Sequence, residues 1–579
     1  MKKLSIILSL LVLPAVVSAQ GLHKEIDVER SVTPAKRQAE RIGVLPTVSL
    51  PALKPTSLQF SDKVYTSQVT PAIRVLNPIA WNARPYGSSS RGYLDLAVGA
   101  PLAQGGVSAG YRVLASDTTS LHVWGQYNGD VYKRASSTWH DHTATLGADF
   151  MHRLTPGLRL GADVYYTYGF HDMPGLWGRF AQGASEVAAR ISADGEAGPL
   201  TYHGAVAYDH FGFCSPHWSD AALKAMQEDT PDAVADVNGT SENLYRITAG
   251  ASLQMAEHSW IGLDVDARLL YTANHALPLI PYFEESDRLL FGHTTRGLAA
   301  LRPSYSFRGE SASATIGALI DIAGHDGTTF KVAPDVTLAW HAMQYLAAEV
   351  KIHGGSTLNS LRDLYQISPY LNPTLAYKRS HAPVIVDARL AFGPFLGGTV
   401  EIFGGYARAN DWLLPVAAAY ETGGLAFESQ KVSGYRYGVR LGYDNGGALA
   451  FSASWQHSPG ELKKAWLDCR DRARNVVNAT LSVRPLSPLK IDVDYELRSG
   501  RCIYGYYPDP SELLGLTYYE FERQGLGAIS NLSAGATYTV SRPLSVFARA
   551  QNILSRRALL LGGRPVQGFN LLVGASLKF

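Results

Sequence analysis

Two imidazoles flank a carboxylate in His140-Asp141-His142. Residues two apart share one face of a strand, so His140 and His142 could together bind a metal ion. They also share the parity of Ala144, Leu146 and Ala148, which places them at a rim, and the ordinary reading is a solvated loop base. A second concentration of chemistry lies in 503–524, where Tyr504, Tyr506, Tyr507, Tyr518, Tyr519 and Phe521 stand among Asp509, Glu512, Glu520 and Glu522. Aromatic faces suit sugar or peptide ligands and mark contact surfaces. Packing of loop on loop is the competing account. The sequence has no phosphate-binding P-loop and no GxGxxG turn. Cys214, Cys469 and Cys502 form no Cys-x-x-Cys or Cys/His zinc spacing. An odd count excludes a complete disulfide framework; Cys469 and Cys502 fall near neighbouring loops and could pair, or all three stay free. No catalytic residue, cofactor or metal centre is expected, and the chain reads as a non-enzyme.

The elements that carry these residues show a period of two. Ile261, Leu263, Val265, Ala267, Leu269 and Tyr271 alternate with Gly262, Asp264, Asp266 and Arg268. Leu489, Ile491, Val493, Tyr495 and Leu497 alternate with Lys490, Asp492, Asp494, Glu496 and Arg498. Similar stripes run through Leu158 to Tyr168 and Tyr435 to Tyr443. These are strands with one apolar and one polar face. Many run to ten residues or more, matching the roughly 9–11 that cross a bilayer at a tilt. Tyr and Phe recur at their ends, as interface girdles require. The last stripe, Phe569, Leu571, Val573, Ala575, Leu577 and Phe579, ends the chain on an aromatic residue.

The 579 residues carry 18% charged side chains, with 31 Tyr, 55 Gly and 3 Cys. Ordinary soluble domains hold roughly 25% charge. Net charge is +2, and Lys2 and Lys3 supply both units. A neutral chain has no field for nucleic acid. Residues 1–19 read as a secretory signal peptide: a basic start, an apolar run from Leu4 to Val17, and small residues at Val17-Ser18-Ala19. Past residue 20 no run of 18 apolar residues occurs, which excludes a helical membrane protein. The expected place is the cell outer membrane, with its lipid as the first partner.

Strands are expected from near Gly92 to near Gly568, about 22 in number, with starts near His142 and Gly434 among them. Tight links such as Thr155-Pro156-Gly157, Arg484-Pro485-Leu486-Ser487 and Arg542-Pro543-Leu544-Ser545 alternate with long ones at 214–241, 276–293, 359–383, 416–428, 460–471 and 503–524. The fold class is therefore all-β: an antiparallel transmembrane β-barrel with short periplasmic turns and long extracellular loops over 92–579. Residues 20–91 precede it as a periplasmic or lumen-inserted segment. Short helices are expected at Pro34 to Ile42 and Ser219 to Asp229, from their caps.

Several phrases carry a resemblance. Gln551-Asn552-Ile553-Leu554, then Gly562-Gly563-Arg564-Pro565, then the terminal Phe579 look like the final hairpin of TonB-dependent receptors, whose barrels have 22 strands. Ser360-Leu361-Arg362-Asp363-Leu364-Tyr365, followed by Ser368-Pro369-Tyr370-Leu371-Asn372-Pro373, resembles relatives without a plug in Bacteroidetes-type bacteria. The resemblance implies a receptor-like transport barrel or channel. The region before the barrel shows no TonB box and no plug-like strand-helix pattern, which opens a second reading: a scaffold barrel in an outer-membrane protein assembly or secretion complex. Expected partners are a surface lipoprotein or other subunits of such a complex.

A lumen of this width is normally plugged. Residues 20–91, in-folded loops or a partner are the candidates to fill it. By parity, Arg159, Asp163, Asp264, Asp266, Arg268, Glu349, Lys351, Arg436, Arg440, Lys490, Asp492, Asp494, Glu496 and Arg498 face inward. Both signs are present, so the ordinary reading is mutual pairing; a pore lining of one sign would have signalled ion selectivity.

Overall fold

The computed structural model describes residues 90–134, 137–155, 157–173, 180–214, 217–218, 224, 240–274, 292–324, 329–343, 345–369, 378–417, 425–444, 446–508, 519–561 and 564–579. The expected leader, nearly all of segment 20–91 and the helix at Pro34 to Ile42 lie outside these residues, as does the helix Ser219 to Asp229 apart from Lys224.

Among the described residues, 25 strands form one sheet. Three stand apart from the wall: His217–Trp218, Cys502–Pro508 and Tyr519–Gly525. The other 22 close into an antiparallel barrel. Each strand pairs with the next. Leu200–Phe213 pairs directly with Ser241–Ala256, and Leu489–Ser499 with Ile529–Thr539, across their long links. The ring closes between Gly92–Ala100 and Asn570–Lys578, in register from Tyr93↔Lys578 to Ala100↔Leu571. The carbonyl of Phe579 accepts from the Gly92 amide at 2.7 Å. Closure leaves no open edge, which is what a strand protein needs in lipid.

Period two sorts the side chains as the sequence analysis expected. Ile261, Leu263, Leu269, Tyr435, Tyr437, Leu441, Leu571, Val573 and Leu577 are exposed apolar residues on the outer face. In water such a band would be costly; in a bilayer it is the ordinary solution. No helix among the described residues is long and apolar enough to cross a membrane. The protein is an outer-membrane barrel that crosses with strands.

Links at one rim are tight, for example 156–157, 198–199, 257–258 and 487–488; the other rim carries 214–240, 358–379, 458–474, 500–528 and 552–569. Phe579 lies at the tight rim, the periplasmic one. Strand starts agree with the alternation to within a few residues, with two larger differences. The strand expected from near Gly434 begins at Leu425, and the one expected from near His142 begins at Ser137. Glu428, Ser429, Gln430 and Lys431 break the apolar stripe where that wall rises above the bilayer. Polar strand of this kind carries no lipid-facing signal. Gly398–Ala417 and Leu425–Asp444 each have 20 residues, about twice the crossing length.

Candidate functional site

The outer mouth is occupied by its own loops. One of them forms the helix Leu361–Ile367. Ser360 caps it by accepting from the Asp363 amide at 3.1 Å, and the Leu361 amide donates to Glu242 Oε2 at 2.5 Å. Two amides that the helix itself leaves unsatisfied thus find oxygens. Leu361 and Leu364 are buried, and Arg362 on another face donates to Glu186 Oε1 at 2.5 Å and to the Tyr165 hydroxyl at 2.6 Å. Tyr165 in turn donates to Glu186 at 2.6 Å. The helix therefore reaches from the link after Leu346–Thr357 to strands well round the ring, Leu158–Met173 and Phe180–Ala197.

The strands Cys502–Pro508 and Tyr519–Gly525 form a hairpin in the mouth. It joins the tall strand Gly398–Ala417 through the parallel register Val416↔Tyr504 and Ala417↔Gly505. Leu361 and Leu364 of the helix, Leu413 and Phe427 of the tall wall, Ile503 of the hairpin and Leu561 of the last loop share one buried apolar cluster. Segment 458–474 folds inward beside it. Its Trp466 and Leu467 pack on Ala407, Ala409 and Val432, and Arg436 lies 4.2 Å above the Trp466 ring.

Charge is buried in the same cap. Asp471 is fully buried and holds both Arg498 and Arg501, the latter at 2.6 Å. Burial alone would raise the Asp471 carboxyl; Arg498 and then Arg501 outweigh it and hold it well below the usual carboxylate range. Burial pushes the Cys469 thiol up to about 12. Cys469 and Cys502 are free, which selects the unpaired alternative; their thiols donate to the carbonyls of Ala473 and Gly460 at 3.4 Å. In the last loop, fully buried Arg564 donates to Asp141 Oδ1 at 2.5 Å and to the Tyr132 hydroxyl at 2.8 Å.

Between the helix and segment 458–474 lies a cavity of about 250 Å³. Leu364, Leu413, Trp412 and Leu561 give it apolar walls. Asp363, Gln366, Asp468, Arg470 and Arg498 supply polar groups. Arg470 donates to the Leu413 carbonyl at 2.9 Å and lies 5.5 Å from the Trp412 ring centre. Apolar walls with a few convergent polar groups are the usual composition of a small-ligand site.

Of the wall charges marked by parity, Arg498 alone joins this cavity. Most of the others pair along the wall. Arg159 meets Asp194 at 2.6 Å; Asp266 meets both Arg246 and Arg268 at 2.7 Å. Glu349 pairs with Arg389, Arg436 with Asp387, Arg440 with Glu401, Lys490 with Asp492 and Asp494 with Arg549. Asp264 lies 3.5 Å from His203. Asp163 stands opposite Arg190, Lys351 opposite Asp387 and Glu496 opposite Asn531 in register. Tyr504 lies beneath Arg472, 5.1 Å from ring centre to guanidinium. Tyr506, Tyr507, Tyr519 and Phe521 belong to the hairpin strands, and Tyr518 is outside the described residues. His140 is held by Asp172 at 2.7 Å and His142 by the Tyr127 hydroxyl at 2.9 Å. Among the described residues no group of three or more His, Cys, Asp or Glu is placed to hold a metal.

Sequence reasoning missed the helix, Asp471, Arg472, Arg501 and Glu242. Ser360 with Asp363 three residues on, and Leu361, Leu364 and Ile367 at helical spacing, were a usable signal. Gly106-Val107-Ser108-Ala109-Gly110 spells the GxSxG pattern. Ser108 stands inside the strand Ala103–Ala115 and not at a strand-to-helix turn, so it is no nucleophile elbow.

Solved structures share this architecture. The siderophore receptor PirA from Acinetobacter baumannii superposes with a TM-score of 0.62 at 8% identity, over 86% of this chain and 81% of that one. The fold is that of the siderophore-receptor barrels. The ferric enterobactin receptor PfeA from Pseudomonas aeruginosa gives 0.61 at 12% identity over 86% and 81%. The FrpB iron transporter from Neisseria meningitidis gives 0.60 at 13% identity over 85% and 81%. No protein-family model and no curated protein matches the chain. At such identities the likeness carries the siderophore-receptor fold and not its ligand.

Proposed function

We propose that this chain is a receptor-like transport barrel of the outer membrane that meets its ligand in the mouth cavity. The observation that carries the reading is that cavity, set between Leu361–Ile367 and segment 458–474 at the outer end of a 22-strand ring. A barrel of this width needs a closure, and here in-folded loops occupy the mouth. In this reading the loops are the gate, and the barrel works without a separate plug domain. The likeness to siderophore and iron receptors supports a transport role. The test is planar-bilayer conductance of the full chain, with outer-membrane extracts as the ligand source. Ligand-dependent current supports the reading; a silent barrel under every condition rejects it.

One observation favours the second reading, a non-transporting scaffold in an assembly or secretion complex. Helix, hairpin and last loop share one buried apolar cluster, a closure that suits a permanently sealed lumen. A surface lipoprotein or other outer-membrane subunits are the partners it would hold. Purification in mild detergent with mass spectrometry of bound proteins decides between them: a stoichiometric partner with no conductance selects the scaffold.

A further inference from the structure

Arg472 is out of balance with its surroundings. Its side chain is fully buried, and one nitrogen, Nη2, donates to the Pro415 carbonyl at 3.1 Å. Nε and Nη1 have no hydrogen-bond partner. Among the described residues no carboxylate lies within ion-pair distance of it, and its guanidinium lies 5.1 Å from the centre of the Tyr504 ring. Its backbone sits at φ 48°, the left-handed region that a side chain rarely adopts, so the fold holds this arginine in place at a cost. Burial pushes its guanidinium below the ordinary arginine value. The neighbouring residue, Asp471, is already shared by Arg498 and Arg501, and Arg501 Nη2 also has no partner. With Arg470 the cap gathers four guanidinium groups against three carboxylates, Asp363, Asp468 and Asp471. Asp468 is exposed, so solvent weakens its share.

A buried cation without a counter-charge is among the costliest arrangements a protein can hold. Vacant donors on a buried side chain call for an unseen partner. Guanidinium forks match planar or tetrahedral oxyanions best. We propose that the arginine cluster of segment 458–474, centred on Arg472, binds a small oxyanion or the oxyanion group of a larger ligand, carboxylate or phosphate. This rests on the reading of the mouth as a ligand site and deepens it: the ligand is anionic, and Arg470 and Arg498 present the same charge on the cavity wall.

The test is calorimetric titration of the purified full chain with sodium phosphate and with sodium acetate, against sodium chloride at matched ionic strength. Thermal unfolding is followed in the same three salts, since a ligand of the native state raises the unfolding temperature. Saturable binding of phosphate or acetate is expected, and which of the two binds tells tetrahedral from planar recognition. Arg472→Gln should lose at least tenfold in affinity while keeping the heat-modifiable gel mobility of a folded barrel. If that variant does not fold, Arg501→Gln and the wild-type titration carry the test. Equal unfolding temperatures in all three salts with no saturable heat overturn the proposal, as does unchanged binding by a folded Arg472→Gln. Conductance plays no part in these readouts, so a barrel that fails to transport can still pass them, and a transporting barrel can fail them.

Discussion

Arg362 Nε lies 2.5 Å from Glu186 Oε1, joining a helix in one loop to a strand well round the ring. Both side chains are largely shielded, and Tyr165 completes the set from the next strand. This contact anchors the mouth helix on the opposite wall.

Removing it should free the helix and leave the barrel. Charge-assisted hydrogen bonds contribute about 2 kcal/mol, or roughly thirty-fold in the population of the undocked loop. Arg362→Ala and Glu186→Gln should each speed proteolytic cutting within 358–369 by about that factor, and the double variant should add little. Additive effects would show that the two residues act separately.

Gly169 makes a second contact with the same helix testable. A Cβ there would stand 2.6 Å from the Tyr365 hydroxyl, and the ring is hemmed in by Phe211, Phe213 and His171. Gly169→Ala should therefore displace the helix. The Tyr365 hydroxyl is buried without a partner, so Tyr365→Phe should be neutral or stabilising in thermal unfolding. Combined, Tyr365→Phe should recover most of the loss caused by Gly169→Ala.

Asp471 sets the pH behaviour of the cap. Its carboxyl is held below the usual range, so its stabilising contribution is full above the unfolded value near pH 4 and fades only as pH falls through the lower folded value. Protection against hydrogen exchange in 458–474, taken relative to the intrinsic rate at each pH, should stay flat from pH 8 to about pH 4.5. Asp471→Asn leaves Arg498 and Arg501 buried without their carboxylate and should cost about 3–5 kcal/mol in cap stability. A steep loss of protection near pH 6 would contradict this.

The cysteines offer a readout of opening. Cys469 is buried with its thiol pushed up to about 12, and Cys502 is buried as well. Cys214 is partly exposed, although burial raises its thiol too. A thiol reagent at pH 8 should label Cys214 first and reach the other two only when the cap opens. Rapid labelling of all three in the native barrel would show an open mouth.

Sequence conveyed the wall far better than the cap, for a physical reason. Ile261 to Tyr271 and Phe569 to Phe579 face lipid on every second residue, and that constraint writes itself into the composition. The same rule places Arg498 on the polar side of its strand. Its partner Asp471 comes from a link 27 positions earlier, where no period exists to read. Polar strand above the lipid, such as Glu428 to Lys431, was equally silent. Leu361–Ile367 has a legible cap and spacing, but seven residues between two strands read as link.

The seam between Gly92–Ala100 and Asn570–Lys578 bears on the order of assembly. The apolar cluster in the mouth draws on residues as distant as Ala184 and Leu561. Contacts so far apart in sequence are paid for late, after the entropy of the intervening chain is already lost. The ring must zip shut before its cap can find all its parts, so an inserting barrel passes through a stage that is membrane-anchored but still uncapped. Closure of the seam by the last strand begins that interval, and docking of the cap ends it.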